Sequence, residues 1–129
     1  MKIAHTEIIL FVANQQVSTD FYGSLLGKEP VLNVEGMTEF MLSAHCTLGL
    51  MPNDGIYRLL GNKIEHPTKA GKTPRCELYL YVENLEEMVE RAIAIGAKLV
   101  NETKIRDWGD TVCYLQDPDG HIIALARKN

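Results

Sequence analysis

Hydrophobic and polar residues alternate along several short stretches of the chain, and this pattern predicts β-strands. The first stretch covers residues 4–12. Apolar residues then recur at helical spacing from Val17 to Leu26, between the capping residue Asn14 and the stop residue Gly27. Further strands are predicted over residues 29–35, 38–44 and 46–51. The first half of the chain therefore has the order β-α-β-β-β.

The second half of the chain repeats this order. ELYLYVEN at residues 77–84 matches EIILFVAN at residues 7–14, with a glutamate at the start and an asparagine at the end of both. A helix should begin after Asn84 and end near Gly96. Strands are predicted over residues 76–83, 97–102, 110–116 and 121–127, with the tight turn DPDG before the last one. A repeated unit favours two modules that stabilise each other.

We predict an α+β fold made of two βαβββ modules in tandem. The chain has 129 residues, enough for one domain that spans residues 1–129. The first module is assigned to residues 1–52 and the second to residues 76–129. Residues 53–75 are predicted to be a linker, with one short helical turn at residues 56–60.

Composition excludes several classes of protein. The formal net charge is −4 and no run of Lys or Arg appears, so a nucleic-acid surface is not expected. The first residues are interrupted by His5 and Glu7, so they form neither a signal peptide nor a membrane span. The three cysteines, at widely spaced positions within predicted strands, indicate reduced and mostly buried thiols in a cytoplasmic protein.

Strand parity divides the predicted sheets into two faces. One face carries aliphatic residues and is assigned to the helices: Ile8, Leu10, Val12, Leu78, Leu80 and Val82. The opposite face mixes carboxylates, aromatic residues and small residues: Glu7, Ile9, Phe11, Glu77, Tyr79 and Tyr81. This mixture is too polar for a core and too apolar for a solvated surface. It therefore predicts a ligand-binding cleft on that face.

Three stretches of the chain resemble the vicinal oxygen chelate superfamily: STDFYGSLLGKEP, VENLEEMVERAIAIGAKLV and WGDTVCYLQDPDGHIIAL. This superfamily includes glyoxalase I, bleomycin-resistance proteins and extradiol dioxygenases. The resemblance implies cupped mixed β-sheets, a small-molecule ligand and a homodimer. It also implies, in the metal enzymes of the family, a divalent ion such as Ni, Zn, Mn or Fe that acts as a Lewis acid.

The resemblance places the four metal-ligand positions of the family at Glu7, Gly49, Glu77 and Ala124. His5 lies two residues before Glu7 and could replace it as a ligand. Gly49 and Ala124 have no ligating atom, and transition-metal sites usually need three or four protein ligands. No metal cofactor is therefore favoured. If one is bound, its ligands would be His5, Glu7 and Glu77.

The preferred hypothesis is a protein that binds a small organic molecule without the usual metal site. Its expected contact residues are Glu7, Ile9, Thr47, Met51, Glu77, Tyr79, Tyr81, Trp108 and Ile122. Glu7 and Glu77 are candidates for acid–base catalysis, but both could also be solvated residues of a strand face. The alternative is a metal-dependent lyase, isomerase or dioxygenase that uses Glu7 and Glu77 as ligands. A third hypothesis is a noncatalytic dimeric scaffold.

Overall fold

A computed structural model describes all residues of the chain, from Met1 to Asn129. The chain divides into two compact units, which comprise residues 1–71 and 72–129. Each unit contains one four-stranded mixed sheet and at least one helix. The prediction of an α+β fold with two tandem βαβββ modules is confirmed.

The first unit contains one sheet of four strands with the order β1-β4-β3-β2, in which β1 and β4 are parallel. The strands are β1 (Thr6–Val12), β2 (Leu32–Val34), β3 (Met37–Ser43) and β4 (Cys46–Pro52). The helices are α1 (Gln15–Leu26) and α2 (Asn53–Leu59), followed by a 3₁₀ turn at Pro67–Ala70. The parallel pair requires a crossover, and α1 is part of it.

Helix α1 has the ends that the sequence predicts. The Asn14 side chain accepts a hydrogen bond of 3.0 Å from the Val17 amide, and Gly27 ends the helix in the left-handed conformation at φ 64°. The predicted apolar stripe is partly wrong, because Val17 is 49% exposed whereas Phe21 and Tyr22 are buried. Helix α1 is rotated relative to the prediction, so that Tyr22 lies in the core and Val17 faces outward.

The core of the first unit lies between α1 and the sheet. Its strand residues are fully or almost fully buried: Leu10, Val12, Phe40, Leu48 and Leu50. Ile8 was assigned to this face but is 40% exposed. Helix α1 packs mainly on β3 and β4, so the start of the edge strand β1 extends beyond it.

The second unit repeats the topology. Its strands are β5 (Glu77–Tyr81), β6 (Lys98–Ile105), β7 (Asp110–Gln116) and β8 (Ile122–Lys128), in the order β5-β8-β7-β6. Helix α3 (Leu85–Ala94) begins after Asn84, whose side chain accepts a hydrogen bond of 3.2 Å from the Glu87 amide. The core of this unit contains Leu85 of the helix and four buried strand residues: Leu78, Leu115, Ile123 and Leu125.

The segment predicted as a linker contains regular structure. Helix α2 follows β4 directly, because Asn53 is the next residue after Pro52. His66 Nε2 contacts Asp54 Oδ1 at 2.7 Å and so holds the 3₁₀ turn close to α2. Residues up to 71 belong to the first unit.

Two further expectations concern the burial of the cysteines and the presence of a membrane span. All three cysteines are free, and Cys113 is buried as expected. Cys76 is exposed, so the expectation of burial within a strand is wrong for this residue, which lies just before β5. None of the helices has the length and apolar character needed to cross a membrane.

Candidate functional site

The first unit brings two glutamates together on the sheet face that turns away from α1. Glu39 of β3 and Ile9 of β1 are the two cross-strand partners of Gly49 on β4. Glu7 lies two residues before Ile9, on the same face of β1. The carboxyl groups of Glu7 and Glu39 form a hydrogen bond. Residue 49 lies in the strand between them.

The absence of a side chain at Gly49 is what makes room for this pair. A Cβ atom at residue 49 would lie 2.9 Å from Glu7 Oε2 and 3.0 Å from the Ile9 Cγ1 atom. The Glu39 hydrogen bond, together with burial and the nearby negative charge of Glu39, raises the pKa of Glu7 from 4.5 to about 7. One proton is therefore held by the pair near neutral pH.

His5 does not join the glutamate pair. Its Nε2 atom lies 2.5 Å from Thr47 Oγ1, and Thr47 is 4% exposed. Thr47 also donates to the sulfur of Met41 at 3.6 Å. His5 is thus fixed at the entrance of β1 by a hydroxyl group, while its own ring remains exposed.

The second unit carries a hydrogen-bonded aromatic network on the corresponding face. Tyr79 Oη and Tyr81 Oη both donate to Asp110 Oδ2, at 2.6 and 2.7 Å. Asp110 is 5% exposed, and the two tyrosine hydrogen bonds hold the pKa of its carboxyl below its usual range. The tyrosine rings meet edge to face, with centroids 5.3 Å apart. Asp110 thus fixes both rings.

Two exposed residues extend this network. The indole nitrogen of Trp108 donates to Tyr79 Oη at 2.9 Å, although the Trp108 side chain is 58% exposed. Lys128 Nζ donates to Tyr81 Oη at 3.2 Å and lies 4.3 Å from the centroid of the same ring. Burial and the Asp110 hydrogen bond raise the pKa of Tyr79 to about 12, so its hydroxyl stays protonated at physiological pH.

Small residues on β8 let the tyrosines lie across the sheet. Ala124 and Ala126 are the cross-strand partners of Tyr79 and Tyr81, and both alanines are fully buried. Tyr79 and Tyr114 pack over the cluster that these alanines form with Val112. Position 124 is therefore closed by aromatic rings.

These residues do not fit the four-ligand metal site that the resemblance implies. Position 49 is filled by the Glu7 carboxyl, and position 124 is an alanine beneath two tyrosines. In the second unit Glu77 is exposed, and its partner on β8 is the apolar Ile122. Neither sheet thus places two family ligand positions with ligating atoms side by side.

A separate group of metal-ligating atoms lies in the DPDG turn. Ligand atoms of Asp117, Asp119 and His121 lie within 4.8 Å of one another. Asp117 Oδ1 accepts hydrogen bonds from the amides of Asp119 and His121, and Oδ2 contacts His121 Nδ1 at 2.8 Å. Burial alone would lower the pKa of His121, but the Asp117 hydrogen bond and both aspartate charges outweigh it and raise the pKa. The hydrogen bonds of Asp117 to Asp119 and His121 thus close the turn.

A shallow depression lies beside the start of α1, where Gln15 makes several structural hydrogen bonds. Gln15 lines this depression and donates to the Val34 carbonyl and to Thr38 Oγ1, at 2.8 and 2.9 Å. Its oxygen accepts a hydrogen bond from the Gly36 amide, where the chain turns with φ 96°.

The predicted contact residues lie in both units. Glu7, Ile9, Thr47 and Met51 belong to the non-helix face of the first sheet, and Glu77, Tyr79, Tyr81 and Ile122 to that of the second. Trp108 lies in the turn before β7 and reaches this face through Tyr79. The contact role of these nine residues stays a prediction.

Sequence reasoning missed Glu39, Asp110 and Lys128 as parts of these faces. Asp110 and Lys128 are cross-strand partners at the edge of the tyrosine pair. Their alternation with Val112 and Ala126 was a usable signal, because i and i+2 residues share a face. Glu39 had no such signal, because a register shift between β3 and β4 sets the face on which it lies.

A family model and two bacterial relatives match nearly the whole chain by sequence. The model of the glyoxalase-like domain family matches residues 5–128. An uncharacterized protein of Mycobacterium bovis is 28% identical over 121 residues, which cover 92% of this chain and 79% of that protein. An uncharacterized protein of Mycobacterium tuberculosis is 28% identical over the same length, with coverage of 92% and 71%.

Comparisons by structure show a shared fold. A glyoxalase-related enzyme from Fulvimarina pelagi superposes with a TM-score of 0.80 at 23% identity, over 95% of this chain and 86% of that one. An enzyme of the glyoxalase/bleomycin resistance protein/dioxygenase family from Burkholderia phytofirmans gives a TM-score of 0.81 at 15% identity, over 95% and 97%.

Proposed function

This chain belongs to the glyoxalase-like domain family, within the vicinal oxygen chelate superfamily, and from that premise we propose that it binds a small organic molecule. The ligand lies on the sheet faces that turn away from the helices. Binding there does not require the four-ligand metal site of the family. The supporting observation is Ala124, which stands at a family ligand position and is buried beneath Tyr79 and Tyr114.

The chemistry of the two faces supports binding of a partly apolar molecule. The first face presents the Glu7–Glu39 pair beside Ile9, which is 38% exposed. The second presents Tyr81 and Trp108, which are 53% and 58% exposed. A few fixed polar groups among apolar and aromatic surface are typical of small-molecule sites.

A screen of small organic molecules in the presence of a chelator tests this proposal. Amide and indole resonances of the labelled protein report where each molecule binds. We expect saturable shifts at the non-helix faces, for example at Ile9 or Tyr81, and we expect them to persist with the chelator. Shifts confined to the helix side, or binding that appears only after a divalent ion is added, would contradict the proposal.

The alternative function is a metal-dependent lyase, isomerase or dioxygenase of the glyoxalase type. One observation favours it: Glu7 and Glu39 place two carboxyl groups together over Gly49, and hard divalent ions prefer such oxygen ligands. When bound, the ion would polarise a substrate oxygen. Metal content distinguishes the two functions, because the preferred proposal expects none at stoichiometric level.

We also propose that the chain forms a homodimer in the cytoplasm. Large apolar side chains are exposed on β6 and around it, among them Ile105 at 78% and Val100 at 50%. The three free cysteines favour a reducing compartment. Light scattering coupled to size exclusion should give twice the mass of the 14.5 kDa chain, and the mass of one chain would contradict the dimer.

A further inference from the structure

The polarity of the aromatic network limits what it can bind. Trp108 donates to Tyr79, Tyr79 donates to Asp110, and on the other side Lys128 donates to Tyr81, which also donates to Asp110. Every hydrogen bond points toward one carboxylate, and each tyrosine hydroxyl has used its only proton. Apart from the exposed Lys128 ammonium, which keeps further N–H groups, the polar atoms that the network offers to a ligand are therefore acceptors.

One acceptor remains open at the centre of the network. Both tyrosine hydroxyls donate to Oδ2 of Asp110, and Oδ1 accepts neither of these bonds. Asp110 is 5% exposed, and Oδ1 is not among the fully buried side-chain atoms that lack a partner, since Arg106 Nε is the one such atom. Oδ1 therefore keeps a small contact with solvent. The positive charge of Lys128 lies beside the carboxylate, which makes the local charge close to neutral.

The rings around this acceptor are held in place. The turn that carries Trp108 is closed by hydrogen bonds from the Arg106 amide to the Asp110 carbonyl, 2.7 Å, and from the Gly109 amide to the Arg106 carbonyl, 3.1 Å. The indole nitrogen is no more than two hydrogen-bond lengths from Asp110 Oδ2. Because the single polar atom of Trp108 is already used, the exposed indole offers only its ring surface.

We propose that Trp108, Tyr79 and Tyr81 form an aromatic platform in which the exposed indole of Trp108 stacks on a planar ring, and that Asp110 Oδ1 accepts a hydrogen bond from an N–H or O–H group on that ring. This rests on the proposed small-molecule function and names the class of ligand: a neutral planar ring that carries a hydrogen-bond donor. Asp110 has two roles, because it positions the rings and also contacts the ligand.

Three simple probes separate the two parts of the recognition. Phenol is planar and has a donor, anisole is planar without a donor, and cyclohexanol has a donor without a planar ring. Trp108 is the only tryptophan of the chain, so its indole N–H resonance reports on the platform without ambiguity. Titration to about 20 mM is needed, because a probe of this size binds in the millimolar range.

We expect phenol to shift the Trp108 indole resonance saturably. Anisole should bind about tenfold more weakly, because a hydrogen bond to a charged acceptor is lost, and cyclohexanol should leave the resonance in place. Equal affinities for phenol and anisole, or an equal effect of cyclohexanol, would overturn the proposal. This comparison uses the wild-type protein and needs no variant.

A matched pair of variants tests the role of Asp110. Asp110→Asn keeps an oxygen for the tyrosine hydroxyls and adds an N–H₂ group, so the preference for phenol over anisole should disappear. Asp107→Asn removes the same charge from an exposed residue of the same turn and should keep the preference. A preserved tenfold preference in a folded Asp110→Asn protein would refute the contact.

The same spectra separate failure of this inference from failure of the proposed function. If molecules from the organic screen shift the first sheet near Glu7 while the Trp108 resonance stays fixed, only the platform is refuted. If no probe or library molecule shifts either sheet, the proposed function fails as well.

Discussion

The Glu7–Glu39 pair makes a specific prediction about stability as a function of pH. Below about pH 4.5 Glu7 is protonated in both the folded and the unfolded chain. Between there and its folded pKa of about 7, the folded protein keeps a proton that the unfolded chain has lost. The free energy of unfolding therefore falls as pH rises through this window, and the contribution is constant above it.

The magnitude follows from the change in pKa. At about 1.36 kcal/mol for each pKa unit, the rise from 4.5 to about 7 sets an upper limit of about 3.4 kcal/mol. Glu7 is only partly buried, so solvent screening reduces this to about 1–2 kcal/mol. Glu39→Gln removes the second carboxyl and should return the pKa of Glu7 toward its ordinary range.

Urea unfolding between about pH 4.5 and pH 8, followed by circular dichroism, measures this effect. Relative to its value at the acidic end, the stability of Glu39→Gln should exceed that of the wild type by about 1–2 kcal/mol at the alkaline end. Glu35→Gln removes an exposed glutamate from the neighbouring turn and should follow the wild-type curve. If Glu39→Gln and wild type give parallel curves, the carboxyl pair does not share a proton.

Three further variants test the other parts of the account. Gly49→Ala places a Cβ atom 2.9 Å from Glu7 Oε2, so it should separate the carboxyl pair and lower the pKa of Glu7, as measured by carboxyl ¹³C titration; an unchanged midpoint would contradict this. His121→Gln should cost about 1 kcal/mol at low pH, and this difference should shrink as pH rises, because a raised histidine pKa stabilises only the protonated form beside Asp117. Urea unfolding at two pH values measures it, and a difference that is constant with pH would refute the ion pair. Asn84→Ala should lower the free energy of unfolding by about 1 kcal/mol through loss of a helix cap, and an unchanged thermal midpoint would argue against the cap.

Local patterns predicted most of the secondary structure. The caps at Asn14 and Asn84 depend on residues within one turn of the helix, so the sequence is sufficient to find them. The rotation of α1 that buries Tyr22 and exposes Val17 was not predictable in this way. It depends on packing against strands that are distant in the chain.

The glutamate pair escaped prediction because of a β-bulge. Ser43 is paired with Cys46, and an uninterrupted hairpin from that pair would place Glu39 opposite Leu50, on the helix side. The observed register shifts between Met41 and Ser43, so Glu39 is paired with Gly49 instead. One extra residue therefore moves the carboxyl group to the other face of the sheet.

The aromatic residues of the network were candidates from the sequence, whereas the carboxylate that connects the tyrosines was not. Alternation along β5, a local property, predicted that Tyr79 and Tyr81 share a face, and the family resemblance suggested Trp108 as a neighbour of that face. Asp110 was not predicted to be part of this network, since its contact with both tyrosines depends on two pairings of β8, one with β5 and one with β7. Such non-local pairings are set by the complete sheet.

If this chain binds an organic molecule without the metal site of its family, the purified protein should contain almost no metal. Tag-free protein purified without chelators is analysed by elemental mass spectrometry, and its thermal midpoint is then followed during titration with nickel, zinc, manganese and iron. We predict far less than one ion per chain and no saturable rise of the midpoint. Near-stoichiometric metal that is lost in Glu7→Ala or Glu77→Ala would contradict the account and establish the metal-dependent alternative.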